Sequence, residues 1–420
     1  MPENKLDILK LIKENWQIDS DSDKADHPEN YPYYNKQASV TITFVSPILT
    51  GDYVYKMVYP AIALNEYSKT HRAFMVGIKD YIVSQKIDDY AASLPETFIE
   101  ISNYLVLPFF TYDLRDAIDK MRVINKKIKI AYCIDINFLR IPTGYPGYKD
   151  FEARATKDTI IENMRASDIV LINQTALGEF LYTELKERLA GASTMIEVMP
   201  CGFFPELTEP IIRSTTLPEV DHTKFRTLLI CNPTHIEDIN CIREQLIAVK
   251  DKYRDKFELI SFGWKGIADF GKGLRDTFRG IPYTYQRPVN FYEYNKKLAE
   301  LQPDCLLLPV KLVEDNSFTI TSKNNRKFIE ASAMAIPCLI TASAPFKDTA
   351  YVGDGERLIN PEVNAILIQK KVDWVAELSE AIEDKKDKTK LDEISERAYQ
   401  VAHSRFTYEK IISWIERIFE

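Results

Sequence analysis

Between Ser322 and Glu330 the chain reads Ser-Lys-Asn-Asn-Arg-Lys-Phe-Ile-Glu, which sets Lys323, Arg326 and Lys327 among Ser322, Asn324 and Asn325 ahead of one acid. An apolar run, Cys305 to Val310, precedes this segment, and a second, Cys338 to Thr341, follows it. Apolar runs of that length fit parallel strands covered on both faces. The stretch between them predicts a long polar loop and then a helix over 325–336, ended by Pro337. In an open α/β sheet, ligands bind where a strand's carboxyl end passes into a helix N-terminus. Cations, amides and free helical N–H groups at that corner suit an anionic, hydroxyl-bearing ligand such as a nucleotide diphosphate. Arg326 and Glu330 also stand i,i+4 apart. As a plain surface ion pair they would contribute only about 0.2–0.5 kcal/mol.

The run Lys323 to Pro337, with Lys327, Glu330 and alternating small residues Ala331, Ala333 and Ala335, resembles the donor-binding signature of the GT-B glycosyltransferases, in particular the family-4-like group of bacterial polysaccharide and glycan assembly. The resemblance implies that Glu330 holds the ribose of a nucleotide-sugar, supported by Lys327. Ser322 stands where that group carries a further Glu. Cys231-Asn-Pro-Thr-His235-Ile-Glu-Asp238 resembles the turn that faces the donor diphosphate, with Asn232 in place of a glycine. There Thr234 or Asn232 can cap the following helix and leave N–H groups for phosphate. His235 reads either as part of that turn or as a capping-turn histidine without a ligand. Tyr132-Cys-Ile-Asp135 resembles an acidic corner, from which Asp135 would bind an acceptor hydroxyl or steady transition-state charge; a buried structural aspartate is the competing reading. The loop carrying Gly51 and Tyr53, followed by Lys56, resembles the group's entry loop on the acceptor side. Asp168 and Thr175 match a segment that supports the cleft wall from inside.

Positioning these residues takes two α/β series. The first has strand candidates at 39–48, 73–78, 103–110, 128–136, 168–173 and 195–200, separated by helical stretches. The second has them at 225–232, 256–264, 305–310, 338–341 and 365–368, with helices at 236–250, 291–301 and from 372 to 405. Strands alternating with such helices give βαβ units and parallel sheets. A first helix is expected within 1–17, before a polar loop. A Pro- and Thr-rich connector begins near Cys201 and suggests domains 1–203, plus the C-terminal helix 406–420, and 204–405. The expected fold is α/β, of GT-B type: two Rossmann-like domains with parallel sheets facing across a cleft, and a C-terminal helix returning to the N-terminal domain. That last helix, TYEKIISWIERIFE, carries an apolar side built from Tyr408, Ile411 or Ile412, Trp414 or Ile415, and Ile418.

Composition excludes several classes. A net charge of −8 argues against a nucleic-acid surface, which needs a basic face. The cysteines at 133, 201, 231, 241, 305 and 338 lack C-x-x-C spacing and read as reduced, buried thiols rather than disulfides or metal ligands. No signal peptide or membrane span is apparent, so a cytoplasmic protein is expected; a lipid-linked acceptor would bring it to the inner membrane face as a peripheral contact. The Gly263–Gly273 stretch lacks the G-x-G-x-x-G spacing of a dinucleotide turn, and P-loop, G-x-S-x-G and H-E-x-x-H motifs are missing. The resemblance implies a hexosyltransferase-type enzyme that moves sugar from a UDP-, GDP- or dTDP-linked donor to a glycan or lipid-linked acceptor. It also implies retention of configuration, no metal and no cofactor. Two alternatives stand: a catalytically silent GT-B homologue that serves as a scaffold, supported by Ser322 and only 14 glycines, and a nucleotide-sugar epimerase.

Overall fold

The computed structural model describes residues 37–46, 53–77, 94–143, 148–212, 217–231, 235–263, 276–290, 293–311, 325–342, 365–368, 370, 373–385 and 389–420. They form two compact units. One gathers the residues up to Arg140, Lys149–Glu206 and Thr407–Glu420, and the other Ile141–Tyr148 and Leu207–Phe406. The helix expected within 1–17 lies outside the described residues.

The N-terminal unit holds six strands: β1 (Val40–Ser46), β2 (His71–Gly77), β3 (Tyr104–Leu107), β4 (Lys129–Ile134), β5 (Ile169–Ile172) and β6 (Met195–Val198). They lie in the order β2-β1-β3-β4-β5-β6, and every neighbour pair is parallel. The second unit repeats the plan with β7 (Phe225–Cys231), β8 (Phe257–Gly263), β9 (Tyr283–Gln286), β10 (Cys305–Leu308), β11 (Cys338–Thr341) and β12 (Ile366–Ile368), ordered β12-β11-β10-β7-β8-β9 and again parallel. In each sheet the chain builds outward on one side of its first strand and then returns to the other. The switch points therefore lie between β1 and β3 and between β7 and β10, where ligand crevices form.

The helices used below are α1 (Tyr59–Tyr67), α2 (Arg115–Ile124), α3 (Arg154–Ala166), α4 (Thr175–Leu185), α5 (Arg243–Tyr253), α6 (Tyr294–Leu301), α7 (Arg326–Ala333), α8 (Asp373–Asp384), α9 (Thr389–Arg405) and α10 (Tyr408–Ile418). Three interior strands, β3, β10 and β11, are buried at every position, as strands with both faces covered must be. In the C-terminal unit Leu229, Leu307 and Leu339 of three adjacent strands pack in one core with Leu246 of α5 and Trp374 and Leu378 of α8.

The C-terminal helix returns to the N-terminal unit. Of its alternative apolar positions, Ile411 and Ile415 are buried with Tyr408 and Ile418. The Tyr408 ring lies 5.8 Å from Tyr59 of α1 and 4.7 Å from Phe204, and Phe419 meets Phe44 and Tyr104 edge-on.

Several boundaries differ from the sequence reading. The strand expected to reach residue 110 stops at Leu107, because Pro108 has no N–H for the ladder. The helix expected over 236–250 is two, Ile236–Asn240 and α5. A tighter turn, in which Ile242 N–H donates to Ile239 O at 3.1 Å, buries both Ile239 and Ile242. The polar edge strand β9 was not anticipated at all. The helix before Pro337 ends at Ala333, since Ala335 adopts φ +55°. Ile336 N–H donates to Ala331 O at 2.8 Å and Ala335 N–H to Ser332 O at 3.0 Å, the paired bonds of a Schellman cap.

Candidate functional site

The switch point between β7 and β10 is where the sequence motifs of the C-terminal unit come together. His235 follows β7, and α7 follows β10. Lys327, in the first turn of α7, donates through Nζ to the carbonyl of Ile230 near the end of β7, at 3.0 Å. The same ammonium lies 3.1 Å from His235 Nδ1 and 3.4 Å from Nε2. An ammonium offers only hydrogens, so the imidazole accepts from it. Two segments 92 residues apart in sequence are thus tied at one strand end. His235 stands at the N-cap position of the helix Ile236–Asn240 without a side-chain cap bond, and contacts a cation of the other motif.

One turn further along α7 stands Glu330. It keeps 7% of its surface, so the expected i,i+4 pair with Arg326 exists, at 3.3 Å, but it is not a surface pair. A carboxylate removed from water needs a partner, and Arg326 supplies the charge. Tyr294, the first residue of α6, donates from its hydroxyl to Glu330 Oε2 at 3.4 Å. The Tyr294 ring stacks on Phe262, near the end of β8, at 5.6 Å and 16°. Burial first, and then the charge of Glu330, push the Tyr294 phenol well above its ordinary value, so it stays a donor. The sequence stretch Tyr292-Glu-Tyr-Asn295 reads, by its resemblance to the same group, as mostly structural; nothing local marks the Tyr294 hydroxyl as facing α7.

Asn325 caps α7 by position only. No side-chain cap bond forms, and its fully buried amide has no hydrogen-bond partner among the described residues. The first-turn N–H groups of α7 and the Lys327 ammonium bring positive charge to this corner. Ser322, Lys323, Asn324, Asn232 and Thr234, expected at the same corner, lie outside the described residues.

The N-terminal unit brings a second group together. Lys56 Nζ bonds the Asp135 carboxylate, and Asn173 Nδ2 donates to the Asp135 carbonyl at 3.1 Å. Asp135 follows β4, Asn173 follows β5, and Lys56 follows β1, so three strand ends converge. The Asp135 side chain remains 28% exposed. Tyr53 is not in a loop as expected, and Lys56 after it is in a helical turn. Tyr53 has helical angles, and a π turn, Val54–Val58, follows it with Tyr59 N–H bonding Val54 O. Pro60 opens α1 and has no N–H to return to Lys56, which favours the wider turn. Gly51 lies outside the described residues. Asp168, half-buried just before β5, accepts from Ile130 N–H at 2.8 Å and from Arg122 at 3.0 Å. Thr175 does not support from inside, because it is exposed at the start of α4.

Thiol chemistry is disfavoured at both corners. Burial pushes Cys133, beside Asp135, up to about 12 and Cys231, at the end of β7, up to about 11, far from the thiolate a nucleophile needs. Among the described residues no three His, Cys, Asp or Glu side chains gather as metal ligands would.

No protein-family model matches the chain, and no curated protein matches it in sequence. Solved structures do match. A sucrose-phosphate synthase from Thermosynechococcus elongatus is 12% identical, with 90% of this chain and 98% of that one covered at a TM-score of 0.58. A trehalose-6-phosphate synthase is 11% identical over the same shares, with a TM-score of 0.57. A UDP-forming α,α-trehalose-phosphate synthase from Burkholderia xenovorans is 10% identical, covering 90% of this chain and 97% of that one at 0.56. Two six-stranded parallel sheets on the plan of these enzymes give the chain the GT-B fold of the glycosyltransferases.

Proposed function

We propose that the protein is a glycosyltransferase that moves a sugar from a nucleotide-sugar to a glycan or lipid-linked acceptor, with retention and without a metal. The observation that carries this reading is the Lys327–His235 contact beside the buried Glu330 at the β7/β10 switch point. That corner offers positive charge for a diphosphate and a carboxylate for the hydroxyls of a ribose. The Burkholderia xenovorans neighbour is a UDP-forming synthase, and a departing nucleoside diphosphate is the chemistry such a corner serves.

In this reading Glu330 accepts from the ribose hydroxyls, while Lys327, Arg326 and His235, together with Lys323, Asn324, Ser322, Asn232 and Thr234, hold the diphosphate. Stabilising charge as it develops on the leaving oxygen is the largest contribution a protein group of this kind makes; loss of one such donor typically slows turnover about 10²–10³-fold. Asp135, held by Lys56, takes the acceptor hydroxyl.

Release of free nucleoside diphosphate from UDP-, GDP- and dTDP-sugars tests the proposal. One donor is expected to turn over, equally well in excess EDTA, and to stop in Lys327→Ala. Donor binding with no release would instead fit the catalytically silent scaffold that Ser322 and the scarcity of glycine favour.

A further inference from the structure

The carboxylate of Glu330 is held from two sides. Arg326 approaches Oε1 at 3.3 Å from one turn earlier on the same helix. Tyr294 approaches Oε2 at 3.4 Å from a different helix, α6. The position of that hydroxyl is fixed in turn by the stack of the Tyr294 ring on Phe262, near the end of the neighbouring strand β8. With one oxygen in an ion pair with a guanidinium and the other accepting from a phenol, the carboxylate is restricted in its rotation. Two adjacent hydroxyls on a five-membered ring match two fixed acceptors better than a single hydroxyl does.

We infer that Tyr294 is a positioning residue that orients Glu330 to read the vicinal diol of a ribonucleotide, so that the site selects ribonucleoside diphosphates over forms lacking those hydroxyls. This rests on the donor-site reading above. The alternative role for Tyr294 is structural, as an aromatic packed on Phe262. The two roles separate cleanly, because Tyr294→Phe keeps the ring and its stack and removes only the hydroxyl.

The experiment measures dissociation constants by titration calorimetry for UDP, GDP and CDP, each beside its 2′,3′-dideoxy form, with the intact chain, Tyr294→Phe and Glu330→Gln. The intact protein should prefer the ribo form of at least one nucleotide by about tenfold or more, the size of a hydrogen bond to a charged group. Tyr294→Phe should weaken the ribo form toward the dideoxy level and leave the dideoxy form unchanged. Glu330→Gln should behave likewise. If Tyr294→Phe keeps full discrimination while Glu330→Gln loses it, the inference falls and the donor site stands. Equal weakening of both forms by Tyr294→Phe would show the structural role and overturn the inference. If the intact protein binds none of the three, or binds both forms alike, the donor-site reading falls and the inference with it.

Discussion

Glu330 keeps 7% of its surface and faces Arg326 at 3.3 Å, and that combination makes each residue dangerous to change alone. Removing one partner of a buried pair leaves an uncompensated charge and typically costs about 3–5 kcal/mol. Tyr294 supports the carboxylate partly, so Arg326→Ala should cost about 3 kcal/mol in urea unfolding. Arg326→Ala combined with Glu330→Gln should cost clearly less than the sum of the single changes, because the buried charge is then gone. Additive losses would mean that the pair is not coupled. At this scale the sequence revealed residue type and place: Asp135, His235, Lys327 and Glu330 are polar groups at strand ends or in the opening turns of a helix, next to runs that are otherwise apolar. It could not reveal partners. Lys56 meets Asp135 across 79 residues and Tyr294 meets Glu330 across 36. Such contacts follow from the order of strands in a sheet, which no local pattern encodes.

Two backbone positions show how elements are held in place near the site. Gly263 ends β8 at φ +122°, and a Cβ there would lie 2.3 Å from the carbonyl oxygen of Cys231 on β7. Gly263→Ala forces apart two paired strands and should cost about 2 kcal/mol or more. Ala335 stands at φ +55° in the cap of α7, where glycine carries no steric penalty. Ala335→Gly should therefore gain about 0.5–1 kcal/mol. Denaturant midpoints of both variants check the pair of signs; a gain at 263 or a loss at 335 would contradict the geometry. Strands such as β10 and β11 were legible because so short an apolar run suits a strand covered on both faces and not a helix. The edge strand β9, Tyr-Thr-Tyr-Gln, was not, because its positions are half-buried or exposed and its polar side chains resemble a loop. The π turn before α1 was missed for a related reason: Pro60 is visible in the sequence, but the shift in hydrogen bonding it favours is not.

For the whole molecule, the two parallel sheets and the apolar terminal helix were legible from alternation and amphipathicity, and the helix does pack on α1 within the N-terminal unit. Among the described residues no helix is long and apolar enough to cross a membrane. What the fold does with its ligand corner is best asked by thermal melting of the intact chain against UDP, GDP, dTDP and CMP, each with and without an attached sugar. A ligand at about 100 times its dissociation constant adds about 2.7 kcal/mol of stability, a shift that melting resolves easily. One nucleotide should stabilise the protein in this way, and the shift should vanish in Glu330→Gln while that variant still melts cooperatively. No shift with any nucleotide, or an undiminished shift in Glu330→Gln, would contradict the donor site at the β7/β10 switch point.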